Sequence, residues 1–125
     1  MSAPESEGRA RVEAWFNELQ GRLCQALESL EDAILGPGAD LAPGRFERKP
    51  WRREGAGHGG GVMAILRGRL FEKAGVNVSA VSGVFSEQFK GEIPGTAEDP
   101  RFWASGISVV VHPRSPLVPA AHMNT

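Results

Sequence analysis

Apolar side chains recur at steps of three and four residues near the start of the chain, and no other feature of the sequence constrains the fold as strongly. They are Val12, Trp15, Phe16, Leu19, Leu23, Leu27, Leu30 and Ile34. The spacing predicts an α-helix of about 7 turns whose apolar side covers one face of a sheet. We expect this helix to begin near Ser6 or Glu7, with a flexible tail over residues 1–8. It ends at Gly36, because glycine favours a helix terminus and Pro37 cannot continue a helix.

Strand patterns follow the predicted helix. The strand segments are residues 46–53, 62–67, 70–81 and 107–111, and the loops between them include the turn-rich residues 36–45 and 86–100. Residues 62–67 and 70–81 form a hairpin that turns at Gly68 and Arg69. One helix followed by antiparallel strands predicts an α+β fold, with a long N-terminal helix packed on an antiparallel sheet in a single domain, residues 1–125.

The second arm of this hairpin has one apolar face and one polar face. Val76, Val78 and Ala80 alternate with Asn77 and Ser79. Alternation of this kind is typical of an antiparallel strand that turns one face to a core. The polar face is therefore a candidate lining for a site.

The balance of charges excludes a global attraction to nucleic acid or to an anionic membrane. Fourteen basic and fifteen acidic side chains leave a formal charge of -1, so any anion recognition must be local. The single cysteine, Cys24, excludes an intrachain disulfide and fits a reducing compartment. No segment approaches the ~20 apolar residues of a membrane span, and the acidic N-terminus has no apolar targeting region. We expect a soluble, cytoplasmic protein.

Glycines at positions 55, 57 and 60 match the letters of the dinucleotide-binding pattern. That pattern binds a pyrophosphate where it follows an apolar strand and opens a helix, whereas here a polar segment precedes it and a strand pattern follows. The glycine run instead predicts a loop beside Arg52 and Arg53, whose guanidinium groups are suited to binding carboxylates. The alternative is a loop with two solvated arginines.

Two of the three histidines, His112 and His122, lie in a segment with prolines at positions 113, 116 and 119. A shared metal ion requires their imidazoles to converge within ~4–5 Å. An unbroken polyproline conformation would instead hold the two residues ~31 Å apart. Convergence therefore needs a turn near Arg114–Pro116, and the alternative is histidines that cap strands or form local hydrogen bonds.

His122 is also a candidate acid–base group. Imidazole side chains exchange protons near neutral pH, and Asn124, two residues along a strand, points to the same face. Ser108 has the opposite parity to Val109 and Val111, so it faces either a pocket or water. The segment stops two residues after Met123 without a cap or a polar tail, and we expect that the chain is cut there.

Three motifs carry a resemblance to a known family. They are residues 51–55 with the glycine run after them, residues 71–79 and residues 106–124. Together they resemble the oxygen-dependent coproporphyrinogen III oxidases over about residues 9 to 125. The resemblance implies that propionates of coproporphyrinogen III are oxidatively decarboxylated to vinyl groups, with O2 as co-substrate and protoporphyrinogen IX, CO2 and hydrogen peroxide as products. It also implies a larger helix-flanked antiparallel sheet, of which this chain is the N-terminal part, and a homodimer.

The resemblance also implies roles for individual residues. Ser108, Asn124 and Thr125 match substrate-contacting positions, His122 matches the proton donor, and His112 with His122 matches positions for a divalent metal such as manganese. Arg52 and Arg53 are our own candidates for binding propionates. No organic cofactor is implied, and family members are also described as working without any metal. Ala56 and His58 interrupt a run that is usually glycine in the family.

Other classes of function remain open. One alternative is a metal-binding or small-ligand-binding module that uses His58, His112 and His122 without catalysis. Another is an inactive fragment of the enzyme.

Overall fold

The computed structural model describes residues 2–55 and 57–125. Within them it contains helix α1 (Ala3–Ala33) and strands β1 (Glu47–Arg52), β2 (His58–Leu66), β3 (Phe71–Val84), β4 (Arg101–Pro113) and β5 (Ala121–Asn124). The strands form one sheet in the order β1-β2-β3-β4-β5, and every neighbouring pair is antiparallel. The predicted α+β fold, a long N-terminal helix with an antiparallel sheet, is confirmed.

Helix α1 begins earlier than the sequence analysis predicted. Its N-cap is Ser2, whose Oγ accepts a hydrogen bond from the Glu5 backbone N–H at 3.3 Å, while the Glu5 carboxylate accepts one from the Ser2 N–H at 2.9 Å. This reciprocal capping box satisfies two N–H groups that a helix terminus otherwise leaves unpaired. The predicted start at Ser6 or Glu7 is therefore wrong, and residues 3–8 of the predicted tail lie in the first turns of α1.

The side of α1 that contacts the sheet is rotated away from the centre of the apolar stripe. Its buried residues are Gln20, Cys24 and Glu31, flanked by Phe16, Leu19, Leu23 and Leu27, which pack against the core. Trp15 is 46% exposed and Leu30 is 51% exposed. Two polar side chains, Gln20 and Glu31, lie outside the predicted apolar stripe and are nevertheless buried against the sheet.

Gln20 joins the helix to the sheet. Its side chain is 4% exposed, and Nε2 donates hydrogen bonds to the backbone carbonyls of Val62 at 3.0 Å and Val76 at 2.9 Å. These carbonyls belong to the neighbouring strands β2 and β3. Because a buried amide must find partners, these two bonds fix the position of α1 over the sheet.

Glu31 is fully buried at the end of α1, where its carboxylate binds two loops. It accepts backbone hydrogen bonds of 2.7–2.9 Å from Gly44, Arg69, Leu70 and Phe71. The Arg69 guanidinium donates in turn to the helix-terminal carbonyls of Glu31 at 2.8 Å and Asp32 at 3.1 Å. A basic side chain at the C-terminal end of a helix satisfies carbonyls that have no partner within the helix. The β2–β3 turn is thereby held against the end of α1.

The core lies between α1 and one face of the sheet. Ala64, Val76, Val78 and Ile107 are buried there with Cys24, and a second cluster contains Leu66, Phe71 and Ala74. Because side chains alternate between the faces of a strand, the residues between these core positions point to the other face, which α1 does not cover. No helix within the described residues is long and apolar enough to cross a membrane.

Candidate functional site

Three polar residues are aligned across the uncovered face of the sheet. Asn77 of β3 pairs with Ser108 of β4, and Ser108 pairs with Asn124 of β5. Their neighbours Val78 and Ile107 are buried on the core side, so the alternation of a strand sends all three polar side chains to the opposite face. A cavity of about 370 Å³ lies over this row, and its lining includes Trp51, Met63, Asn77, Ser79, Gly106, Ser108 and Asn124.

A glycine lets strands β4 and β5 approach closely at this face. Gly106 lies between β3 and the end of β5, where an added Cβ would be 2.8 Å from the carbonyl oxygen of Thr125. A methyl group at that distance would force the end of β5 away from β4. Glycine at this position therefore permits the close approach that brings Asn124 beside Ser108.

His122 lies one step along the sheet from the polar row. It pairs with Val110, two residues from the Ser108–Asn124 pair, so its side chain is on the same face. It is exposed to solvent. The structure thus brings His122, Asn124 and Ser108 together, and the sequence analysis predicted the shared face of His122 and Asn124.

His112 lies diagonally opposite His122. It is two residues beyond Val110 on β4, and diagonal neighbours of antiparallel strands are about 7–8 Å apart. The predicted turn between the two histidines is present, with Val118 N–H donating to Ser115 C=O at 3.2 Å. The chain reverses there, so the extended polyproline alternative is wrong.

His58 does not join the other two histidines. It pairs with Ser82 of β3, whereas His112 pairs with Lys73 of the same strand, about 30 Å away at the rise of a β-strand. Among the described residues no group of three or more His, Cys, Asp or Glu side chains could hold a metal ion. The alternative of a single site built from all three histidines is therefore wrong, because they lie at opposite ends of the sheet.

The two candidate arginines point to opposite faces of the sheet. Arg52 lines a second cleft of about 440 Å³ between α1 and the sheet, where Glu13 and Asn17 also lie. The Arg53 Nη1 donates to the Ser82 carbonyl at 3.3 Å, and its guanidinium is 5.6 Å from the centre of the Phe102 ring. Phe102 has the same parity on β4 as Ser108. Only Arg53 of the two arginines therefore lies on the face of the polar row.

Thr125 contributes to this region through its backbone. Its N–H donates to Ile107 C=O at 3.0 Å and its carbonyl accepts from Ile107 N–H at 2.8 Å. Because Ile107 faces the core, this pairing places the Thr125 side chain on the same side of the sheet as α1. The side chain of Thr125 thus lies on the opposite face from those of Ser108 and Asn124.

The glycines of the run allow β2 to pack closely against its neighbouring strands. Strand β2 starts at His58, so the glycine run leads into a strand and not into a helix, as the sequence pattern predicted. An added Cβ at Gly60 would collide with the Trp51 carbonyl, and one at Gly61 would collide with the Val78 carbonyl. The Gly61 position is also 3.0 Å from Trp51 Nε1. Glycine at position 61 therefore leaves space for the Trp51 ring, and this ring reaches the cavity.

Sequence reasoning missed several residues that line the cavity, namely Trp51, Met63 and Gly106. It did name the polar face with Asn77 and Ser79 as a candidate lining for a site, and both residues line the cavity. The pairing register between strands is what places these residues beside Ser108, and the register depends on contacts between distant segments. Their parity along each strand was the available signal.

The fold is thus an antiparallel sheet with one face packed on a helix and the other face presenting serine, asparagine and histidine side chains beside a cavity. A family model described as coproporphyrinogen III oxidase matches residues 11–125, so the chain belongs to this family. Proteins of Rickettsia bellii (strain RML369-C), Rickettsia felis and Rickettsia rickettsii (strain Iowa), each named oxygen-dependent coproporphyrinogen-III oxidase, are 44% identical to it over 119 residues. The match covers 95% of this chain and 42% of each relative. The chain thus spans less than half the length of these relatives.

Proposed function

We propose that this chain forms part of the substrate-binding surface of an oxygen-dependent coproporphyrinogen III oxidase. The observation that supports the proposal is the alignment of Asn77, Ser108 and Asn124 beside a cavity, with His122 on the same face. The names of the relatives and the family match supply the reaction.

The chemistry of the substrate suits this face. Coproporphyrinogen III has carboxylates, which accept hydrogen bonds, around a ring system whose pyrrole N–H groups donate them. The Ser108 hydroxyl and the Asn124 amide are donors for a propionate, and Arg53 supplies a charged donor near the other end of the face. The indole of Trp51 offers an apolar surface for the macrocycle.

His122 is proposed to transfer a proton in the reaction. Each of the two propionates that react, those on rings A and B, loses CO2 by cleavage of its bond to the carboxylate, and it loses a hydrogen from the carbon next to the pyrrole ring. The released electron pair reduces O2, which takes up protons and leaves as hydrogen peroxide. An imidazole beside the bound propionate is suited to this proton transfer, because histidine gains and loses protons near neutral pH.

Binding by the wild-type chain tests this proposal. We expect anaerobic calorimetry with coproporphyrinogen III to detect binding, and Ser108→Ala and Asn124→Ala each to weaken it by about fivefold, because a lost hydrogen bond contributes about 1 kcal/mol. Ser29→Ala, on the exposed side of α1, is the matched control. Absence of binding by the wild-type chain would contradict the proposal. Binding of both site variants as tight as that of the wild-type chain would also contradict it.

A divalent cation such as manganese is a second candidate ligand of this face. His112 and His122 would hold it, because their diagonal placement allows two imidazoles to converge. Two protein ligands leave open coordination positions, so we expect weak binding that His112→Ala abolishes and that His58→Ala leaves unchanged. Titration calorimetry with Mn2+ measures this, and unchanged Mn2+ binding by His112→Ala would contradict the assignment.

The assembly and the location are also proposed. The resemblance to the family supports a homodimer in the cytoplasm. Analytical sedimentation of the protein, and fractionation of cells that express it, test these two points.

A further inference from the structure

The amide oxygen of Asn77 is a buried acceptor that the fold does not use. Asn77 Oδ1 lies out of contact with solvent and finds no hydrogen-bond donor anywhere in residues 2–55 and 57–125. Buried polar atoms of native proteins almost always have a partner, so an orphaned one calls for an explanation.

The surroundings of Asn77 explain why the protein supplies no donor. Its cross-strand neighbours on this face are Met63, which has no donor group, and Ser108, which is not a partner of this oxygen. All three residues line the cavity of about 370 Å³. Asn77 is therefore at the wall of the space where a ligand would lie, and rotation of its amide about the Cβ–Cγ bond would turn the orphaned oxygen toward that space.

A donor from the ligand is the missing partner. At neutral pH the propionates of a coproporphyrinogen are acceptors, and its pyrrole N–H groups are donors. We infer that Asn77 Oδ1 accepts a hydrogen bond from a pyrrole N–H of the bound macrocycle and so fixes which side and which edge of the ring face Ser108 and Asn124. This inference rests on the proposed function, since it concerns the same cavity and the same ligand.

A purely structural role for Asn77 makes a different prediction. Leucine has nearly the shape of asparagine and no polar atom, so Asn77→Leu removes an unsatisfied acceptor from a half-buried position of β3. Such a replacement is neutral or stabilising when the polar atom has no partner in the fold. We therefore expect the melting temperature of Asn77→Leu to equal or exceed that of the wild-type chain.

Anaerobic calorimetry with coproporphyrinogen III, combined with thermal unfolding, tests the inference. We expect Asn77→Leu and Asn77→Ala to bind the ligand about tenfold more weakly than the wild-type chain. Asn77→Asp is expected to bind within a few-fold of the wild type, because a carboxylate presents acceptors at both amide positions. Gln25→Leu, on the exposed side of α1, is the matched control and should bind as the wild type does.

The outcomes separate this inference from the proposed function. If the wild-type chain binds and the Leu or Ala variant binds equally well, the inference is wrong and the proposed function stands. The inference is also wrong if Asn77→Asp loses as much affinity as Asn77→Leu, or if Asn77→Leu has a lower melting temperature. If the wild-type chain does not bind the ligand, the proposed function fails and the inference fails with it.

Discussion

At the scale of single residues, Glu31 has the most consequential environment in the chain. Its buried carboxylate accepts backbone hydrogen bonds from the loop after α1 and from the β2–β3 turn, at Gly44, Arg69, Leu70 and Phe71. An added Cβ at Gly68 would collide with the same carboxylate. We expect Glu31→Gln to lower the free energy of unfolding by about 3 kcal/mol, because one amide oxygen cannot replace two charged acceptors and the amide N–H2 meets other donors. Urea denaturation measures this, with the exposed Glu18→Gln as control.

The same residue predicts a pH dependence of stability. Burial alone would raise the pKa of Glu31, but the backbone N–H groups of the two loops outweigh burial and hold the pKa below its ordinary value of 4.5. A carboxyl group with a lower pKa in the folded state stabilises the fold above its unfolded pKa, and this stabilisation is lost as the pH falls through the folded pKa. The melting temperature should therefore decrease as the pH is lowered below about 4.5. This decrease should be less steep in Glu31→Gln than in the wild-type chain. Equal slopes for the two proteins would contradict this account.

At the scale of elements, the features that depend on local sequence patterns could be predicted, whereas those that depend on contacts between distant segments could not. The end of α1 and the β2–β3 hairpin followed from periodicity, Gly36 and the turn at Gly68. The start of α1 was missed although Ser2 and Glu5 have the spacing of a capping box. The side of α1 that contacts the sheet was not predictable from apolar spacing, because Gln20 and Glu31 are buried through partners distant in sequence.

The candidate site could likewise be predicted only where it depends on local sequence patterns. The parity of Ser108, His122 and Asn124 along their strands was readable from the sequence. Asn77 and Trp51 join them only through the register of β1 to β4, which depends on packing against α1 and on the glycines of β2. Strand alternation alone sends the two adjacent arginines to opposite faces, and the same register decides which of them lies on the face of the polar row.

Strand alternation at the end of β1 predicts unequal roles for the two arginines. Arg53 lies on the face of the polar row and Arg52 in the cleft beneath α1. We expect Arg53→Ala to weaken coproporphyrinogen III binding by several-fold, through loss of a charged hydrogen bond, and Arg52→Ala to leave it unchanged. Calorimetry measures the affinities, and thermal unfolding controls for the lost packing of Arg53 on Phe102. A larger loss of affinity for Arg52→Ala would place the ligand on the other side of the sheet.

At the scale of the whole molecule, the polar face of the sheet has no covering layer among the described residues. Strand β5 is four residues long, and all of them are exposed. Such an edge leaves backbone donors and acceptors available for another strand, and an open face admits water to a reaction that benefits from its exclusion. We therefore expect the 125-residue chain to bind coproporphyrinogen III and to form little protoporphyrinogen IX.

A chimaera with a longer relative tests turnover, so that substrate binding by this chain and turnover by a protein of the relatives' full length can be measured separately. The chain would replace the matching 119-residue segment of the Rickettsia bellii relative. We expect the chimaera to form protoporphyrinogen IX, and His122→Ala within it to lower turnover by about 10²–10⁴-fold with little change in substrate affinity, because the imidazole acts in proton transfer and not in binding. His58→Ala, at the opposite end of the sheet, is the matched control. Turnover by the 125-residue chain equal to that of the chimaera would show that this sheet needs no further covering, and turnover of His122→Ala within a few-fold of the parent would remove His122 from the chemistry.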